Sequence, residues 1–240
     1  MLIDIHCHIL PKIDDGAKSV EEAVNILKEA RRQGITRMIV TPHYRPDMFE
    51  PAMKRVLFSY RNLRDLAKEM NIHLSLGCEY FRNERMIEDL EEKRRPTMAG
   101  SRYVLTEFST HDTYPTIRNC IYDLVTHGYR PIIAHVERYF CCQELEKVLE
   151  LKELGARIQL NAGSVLGEEG WKQKQFCQQL MKNGAVDFIA SDTHNLSSRK
   201  MNLKKCASYV SRKMGKRYAQ KIFIENPRKI WESRCKVEEG

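Results

Sequence analysis

The 240 residues predict a single α/β domain, 1–240, closed into a distorted (β/α)7 TIM-like barrel. Three observations carry that expectation. Short apolar runs alternate with helical stretches about seven times, the signature of a parallel sheet with right-handed crossovers. Seven such units in one chain of this length match a barrel slightly short of eight. The hydrophobic fraction of 42% fills one large core, and no low-complexity segment or repeat divides the chain. A doubly wound open sheet is the alternative that the same alternation allows.

The elements follow in order. "LIDI" is the first strand. "VEEAVNILKEARRQG" has apolar residues at helical spacing, with Ser19 as its cap and Gly34 as its stop. "RMIV" is the second strand and "MKRVLFSYRNLRDLAKEM" the second helix. "IHLSLG" and "RYVLTEF" are the third and fourth strands, followed by the helix "TIRNCIYDLVTHG". "RPIIAHV" and "RIQLNAG" flank the helix "CQELEKVLELKELG". The helix "KQFCQQLMKNG" leads to the seventh strand, "VDFIAS", and both of these last helices end at glycine. A lysine-rich helical run, "SSRKMNLKKCASYVSRKMGKRYAQKI", follows.

Composition narrows the function. No stretch approaches the ~20 apolar residues of a membrane span, and "MLIDIHCH" lacks the basic and apolar parts of an export signal. The expected location is the cytoplasm, without membrane insertion. Eight cysteines (7, 78, 120, 141, 142, 177, 206 and 235) are scattered without C-x-x-C spacing, so free thiols are expected rather than disulfides or a cysteine zinc site. The net charge of +8 favours anionic partners. Its excess lies on the C-terminal helical run, which reads as a solvated face, and no nucleic-acid partner is expected.

Active sites of parallel α/β folds gather at the C-terminal ends of the strands. There the sequence puts His6 and His8, His43, Glu79, Glu107, His135, and Asp192 with His194. Only "RIQLNAG" ends otherwise, at Asn161. One strand-end histidine is ordinarily a hydrogen-bonded structural residue; six of seven ends agreeing is a site. Residues i and i+2 of an extended chain face the same side, so His6-x-His8 and Asp192-x-His194 can each converge on one ion. With Asp15 the set is five imidazoles and four carboxylates, and no thiolate, which suits Mn, Fe or Zn. Nine ligands exceed what one ion takes, so two or three divalent ions are expected, with Glu79 and Glu107 as bridges. Spacing alone does not choose between Asp14 and Asp15.

"DIHCHILPKIDDGAKS", "TPHY", "GCEY", "TEF", "AHVERY" and "SDTHN" together resemble the polymerase-and-histidinol-phosphatase (PHP) superfamily. They are most similar to its metal-dependent bacterial protein-tyrosine phosphatases, over nearly the whole chain and in order. The resemblance implies a distorted seven-stranded barrel. It implies that His6, His8, Glu79 and Asp192 hold one metal, that Glu107, His135 and His43 serve the others, and that Asp15 and His194 complete the cluster. It also implies a phosphotyrosine protein as partner, a bacterial tyrosine kinase of capsule or exopolysaccharide synthesis. Relatives usually carry proline and asparagine where this chain has "AHVERYF", a difference at the rim that removes no ligand.

On that resemblance the reaction is phosphotyrosine hydrolysis by a metal-activated hydroxide. Arg138 and Arg199 are the catalytic phosphate-binding candidates, and Arg45 is a weaker substrate-binding one. Tyr44, Tyr80 and Tyr139 flank the metal residues and either stack on an aryl substrate or pack the rim. His73, His111 and His127 read as structural. Cys206 and Arg212 form a C-x5-R pattern, but in a helical run with no phosphate-cradling loop, so a cysteine nucleophile is rejected. The alternatives are a small-molecule phosphatase of the histidinol-phosphate kind, a nuclease or phosphodiesterase, and a non-catalytic metal-binding module.

Overall fold

Every ladder between strands is parallel. The structure is a computed structural model and describes residues 1–233; Cys235 and the end of the expected 1–240 domain lie outside the described residues. The strands are β1 (Leu2–Asp4), β2 (Ile35–Val40), β3 (His43–Tyr44), β4 (His73–Leu76), β5 (Glu79–Phe81), β6 (Tyr103–Glu107), β7 (Arg130–Ile133), β8 (Arg157–Asn161) and β9 (Phe188–Ala190). Their order is β1-β2-β4 in one sheet and β3-β5-β6-β7-β8-β9 in the other.

Seven of the nine strands correspond to the seven expected apolar runs; the other two, β3 and β5, are short strands that continue "RMIV" and "IHLSLG" past their expected ends after a break. β2 and β3 are separated by Thr41 and Pro42, and proline cannot donate to a ladder. β4 and β5 break beside them at Gly77 and Cys78, yet Gly77 N–H still donates to Val40 O and Glu79 N–H to Pro42 O. The two sheets thus continue into each other as one curled parallel sheet. Between its first and last strands lies one isolated bridge, Cys7 to Thr193, in place of a ladder. Two hydrogen bonds frame that seam: His8 N–H to Thr193 O at 2.8 Å, and Asp192 N–H to His6 O at 2.9 Å.

Helices pack on the outside. They are α1 (Val20–Arg32), α2 (Met53–Glu69), α3 (Met86–Glu91), α4 (Tyr114–Thr126), α5 (Leu145–Glu153), α6 (Ala162–Leu166), α7 (Trp171–Lys182), α8 (Leu203–Met214), α9 (Lys216–Gln220) and α10 (Asn226–Glu232). Ser19 caps α1 as its sequence indicated, accepting Glu22 N–H at 3.1 Å. α1 buries Ala23, Ile26, Leu27 and Ala30, a stripe at helical spacing. Ile26 and Leu27 each stabilise the fold by roughly 1.5–3 kcal/mol, and alanine at either costs about 2–5 kcal/mol. α3, α6 and α10 were not foreseen, being too short to show a helical period. A separate inner core of Ile3, Ile5, Ile39, Leu105, Ile132 and Phe188 is completed by Ile230 and Trp231 of α10. Trp231 donates its indole N–H to Ser75 Oγ at 2.8 Å, which fixes the plug. Among the described residues no helix is long and apolar enough to cross a membrane.

Candidate metal centre

All nine candidate ligands converge. His6 and His8 follow β1, His43 and Glu79 open β3 and β5, and Glu107 ends β6. His135 follows β7, and Asp192 and His194 follow β9. Three subsets have ligand atoms mutually close enough to hold an ion: His6, His8 and Glu79; His43, Glu79 and Glu107; and His8, Asp15, His43 and His194. Glu79 belongs to two of them; Glu107 belongs to one, and its two oxygens face different histidines, Oε2 at 3.6 Å from His43 Nδ1 and Oε1 toward His135. Asp192 Oδ1 joins the first at 3.4 Å from His6 Nε2 and 3.5 Å from His8 Nε2. His135 Nε2 lies 3.0 Å from Glu79 Oε1 and 3.7 Å from Glu107 Oε1.

The hydrogen bonds around the cluster decide which imidazole nitrogens face inward. His6 Nδ1 meets Gln159 Oε1 at 2.9 Å, and Gln159 is held in that orientation by donating its amide to Asn161 Oδ1. His8 Nδ1 meets Asp14 Oδ2 at 2.9 Å, and His194 Nδ1 meets the Asp192 carbonyl at 2.9 Å. Each Nδ1 faces an acceptor and so carries the hydrogen, leaving Nε2 as a lone pair. The Nε2 atoms of His6 and His8 face each other at 3.1 Å. Glu79 Oε2 lies 3.1 Å from three nitrogens, His6 Nε2, His8 Nε2 and His43 Nδ1, yet is buried without a hydrogen bond. Asp192 Oδ1, His43 Nδ1 and His194 Nε2 are buried and unpartnered too. Lone pairs gathered this closely, with their outer nitrogens oriented by acceptors, fit divalent cations and are unfavourable without them.

The same arrangement favours positive charge inside the cluster. Burial opposes the charge on His6 and His8, but the facing carboxylates outweigh it and raise both above the ordinary range. Burial pushes His43 down to about 4 and lowers His135 and His194. Burial also disfavours the Glu79 and Asp192 carboxylates, yet the surrounding imidazoles hold both well below theirs. Glu107 goes the other way, to about 8, through burial and the neighbouring Glu79 charge. His135 and Asp192 also have left-handed backbones, with φ of 33° and 52°. Such non-glycine conformations cost roughly 1–3 kcal/mol each and cluster at functional positions.

The loop after His8 divides the two aspartates. Asp14 is buried, its side chain 1% exposed, and holds His8 Nδ1, the His43 N–H and the Gly16 N–H. Asp15 is 45% exposed and turns its Oδ1 toward His194 Nε2 at 3.4 Å and His43 Nε2 at 3.5 Å. Asp15 is therefore beside the inward nitrogens and Asp14 is a support. Gly16 makes the loop possible, since a Cβ there would sit 1.9 Å from the His8 carbonyl oxygen.

Arg138 and Arg199 meet at Asp192 Oδ2, at 3.2 and 2.9 Å. Arg138 is also paired with Glu169, and Arg199 approaches Asp15. Both line a cleft of about 470 Å³ over the cluster, together with Asp15, His43, Arg45 and Glu107. The Arg45 guanidinium lies 4.1 Å over the Phe81 ring. Two of the three tyrosines are excluded from stacking on substrate: Tyr80 and Tyr139 are fully buried. Tyr139 instead accepts the Phe108 N–H, and its hydroxyl is 3.3 Å from His135 Nδ1. Tyr44 donates to Asp89. His127 bonds the Asp123 carbonyl near the α4 terminus.

Seven cysteines are unpaired among the described residues. Cys206 is buried in α8, where burial pushes its thiol up, away from a reactive thiolate. The supports Asp14, Gln159, Asn161 and Tyr139 were not foreseen as such. Asn161 alone left a trace, as the one strand end without an ionisable group; it donates to Asp192 Oδ2 at 2.7 Å.

A curled parallel α/β sheet with imidazoles and carboxylates gathered at its C-terminal ends defines the PHP type of architecture. The chain belongs to the CpsB/CapC family of capsular polysaccharide synthesis, whose model matches residues 2–232. It is 35% identical over 237 residues to the tyrosine-protein phosphatase CpsB of Streptococcus pneumoniae, covering 95% of this chain and 98% of that one. A solved structure from the set of YwqE of Bacillus subtilis and CpsB of Streptococcus pneumoniae, described as metal-dependent tyrosine phosphatases, superposes with a TM-score of 0.90. Its identity is 28%, over 98% of this chain and 96% of that one. The histidinol phosphate phosphatase of Lactococcus lactis shares the fold, at a TM-score of 0.59 and 15% identity over 90% and 93% of the two chains.

Proposed function

We propose that this chain is a metal-dependent phosphotyrosine-protein phosphatase acting on a bacterial tyrosine kinase of capsule or exopolysaccharide synthesis. The observation that carries the reading is the set of inward lone pairs around the unpartnered oxygen of Glu79, beneath a cleft lined by two arginines. The curated relative's full-length similarity supports the substrate class. His6, His8, Glu79 and Asp192 would hold one ion. His43, Glu107, His135, Asp15 and His194 would complete two or three sites, with manganese favoured by the oxygen and imidazole donors. When bound, such ions supply Lewis acidity toward phosphoryl oxygens and an activated water.

The chain's own residues do the rest. Arg138 and Arg199 retain N–H donors beyond their pairing with Asp192 and present them to phosphoryl oxygens, holding the phosphorus over the cluster. Asp192 Oδ2 fixes both guanidiniums before substrate arrives, so little ordering is left to the moment of binding. Asp14 and Gln159 keep the His8 and His6 hydrogens on Nδ1 and so keep Nε2 free for the ion. A tyrosine phenolate, of pKa ~10, leaves with little help from a general acid. The seam at Cys7 and Thr193 supports a sheet closed into a distorted seven-unit barrel, and the 1–240 chain as one domain. The unpaired thiols suit a reducing cytoplasm.

The test is turnover of a phosphotyrosine peptide and of histidinol phosphate by metal-stripped protein, with and without Mn²⁺. Turnover of the peptide restored by Mn²⁺ and abolished by His135→Ala is expected. Full activity of the stripped protein, or preference for histidinol phosphate, overturns the reading.

A further inference from the structure

The cleft over the cluster is lined by five charged side chains, by His43 and by two apolar ones, Met48 and Phe49. None of the tyrosines singled out from sequence lines it. The segment 45–49 is a tight antiparallel turn: Arg45 N–H donates to Phe49 O at 3.0 Å, and Phe49 N–H returns to Arg45 O at 2.8 Å. Asp47 takes a left-handed backbone, with φ of 64°, to close it. Arg45 anchors the turn from below through its guanidinium over Phe81. The turn lays the Phe49 ring parallel to His43, centroids 5.2 Å apart and planes within 14°, and leaves Met48 58% exposed. Phe49 itself is half-buried, so its ring is not enclosed by protein.

Resting on the phosphatase reading above, we propose that Phe49, with Met48, is the specificity-determining surface that receives the aryl ring of the phosphoester. A phosphoryl group bound at the cluster is in reach of His43. A ring attached to it lies one ring-spacing away, within the 4.5–7 Å over which aromatic rings stack. The cleft has no other apolar surface among its lining residues to cover such a ring. An alkyl phosphoester carries no flat face for Phe49, and a phosphoserine sets its polar backbone against this wall, where desolvation is unfavourable. The arginines hold the phosphate of any ester; Phe49 and Met48 distinguish what is attached to it. A residue that only buttressed His43 would affect all phosphate ligands equally, which separates the two roles.

The experiment is calorimetric binding of benzylphosphonate and butylphosphonate to the Mn²⁺-loaded full chain, in wild type, Phe49→Ala and Phe49→Tyr. Phenylalanine stacking predicts that Phe49→Ala weakens benzylphosphonate by about 3- to 10-fold while butylphosphonate shifts less than about twofold. Phe49→Tyr keeps the flat face and restores aryl binding. KM for a phosphotyrosine peptide rises with the same ratio in Phe49→Ala, with kcat retained. Equal weakening of both phosphonates, or of neither, overturns the assignment and leaves the phosphatase reading standing. Wild-type protein that fails to turn over the phosphotyrosine peptide with Mn²⁺ overturns the phosphatase reading itself, and this inference with it.

Discussion

Replacing Gly16 by alanine tests the tie between local backbone and metal chemistry. The added Cβ would sit 1.9 Å from the His8 carbonyl oxygen, where real Cβ contacts do not fall below 3.0 Å. The loop must therefore retreat by at least 1.1 Å. His8 cannot follow, because its backbone N–H is fastened to Thr193 O at 2.8 Å across the seam. The displacement falls on Asp14, whose bonds to His8 Nδ1 and the His43 N–H are 2.9 and 3.0 Å long. Lengthened by an ångström, neither remains a hydrogen bond. Losing the carboxylate support of a ligating histidine typically costs 10–100-fold in metal affinity or activity. The packing strain adds about 1–3 kcal/mol of lost stability, which at this chain length lowers Tm by roughly 2–12 °C. Calorimetric titration of Mn²⁺ into Gly16→Ala, with near-ultraviolet circular dichroism showing it folded at 25 °C, measures the effect. Wild-type Mn²⁺ affinity in a folded Gly16→Ala protein would refute the chain of reasoning from Gly16 through Asp14 to His8.

Three further outcomes are expected. Arg199→Ala and Arg138→Ala should each lower kcat on a phosphotyrosine peptide by about 10²-fold, as loss of one preorganised donor to a charged group does; unchanged kcat for both removes them from the phosphate site. Cys206→Ser should keep turnover per folded molecule while losing about 1–3 kcal/mol of stability to a buried hydroxyl, and abolished turnover with intact folding would reinstate a cysteine mechanism. Glu107, with its folded-state value raised to about 8, binds a proton that the unfolded chain has released above its ordinary 4.5, so it contributes less stability as pH rises between the two. Metal-free Glu107→Gln should accordingly gain Tm relative to wild type between about pH 5 and pH 8, and a constant difference would contradict that.

The alternation of apolar and helical runs made the parallel sheet legible, and parallel topology told which end of each run to read. That is why His6, Glu79, Glu107 and His135 stood out without a structure. The breaks at Pro42 and Gly77 were not legible, because β3 and β5 are only two and three residues long and open on the polar His43 and Glu79, which read as the ends of the preceding runs. The choice between Asp14 and Asp15 depended on where a loop tightens against the His8 carbonyl, a contact between residues eight apart. Gln159 was hidden for a different reason: its amide acts on His6 from β8, which does not pair with β1, and nothing in "RIQLNAG" announces that contact. Phe49 carried no signal at all, since its role follows from the turn that lays it on His43.

The seam between the first and last strands also has a consequence for how the protein is made. Asp4 accepts both the N–H and the hydroxyl of Ser191, residues 187 positions apart. At a translation speed of about 5–20 residues per second, His6 and His8 emerge on the order of ten to forty seconds before Asp192 can meet them. A nascent chain thus exposes its first two imidazoles long before Asp192, whose Oδ1 lies 3.4 Å from His6 Nε2 in the folded cluster, exists. The cluster is assembled only when the last strand docks, so a chain cut before Asp192 lacks both Asp192 and His194 and cannot complete it. Topology alone thus couples assembly of the cluster to synthesis of the strand that carries Asp192 and His194.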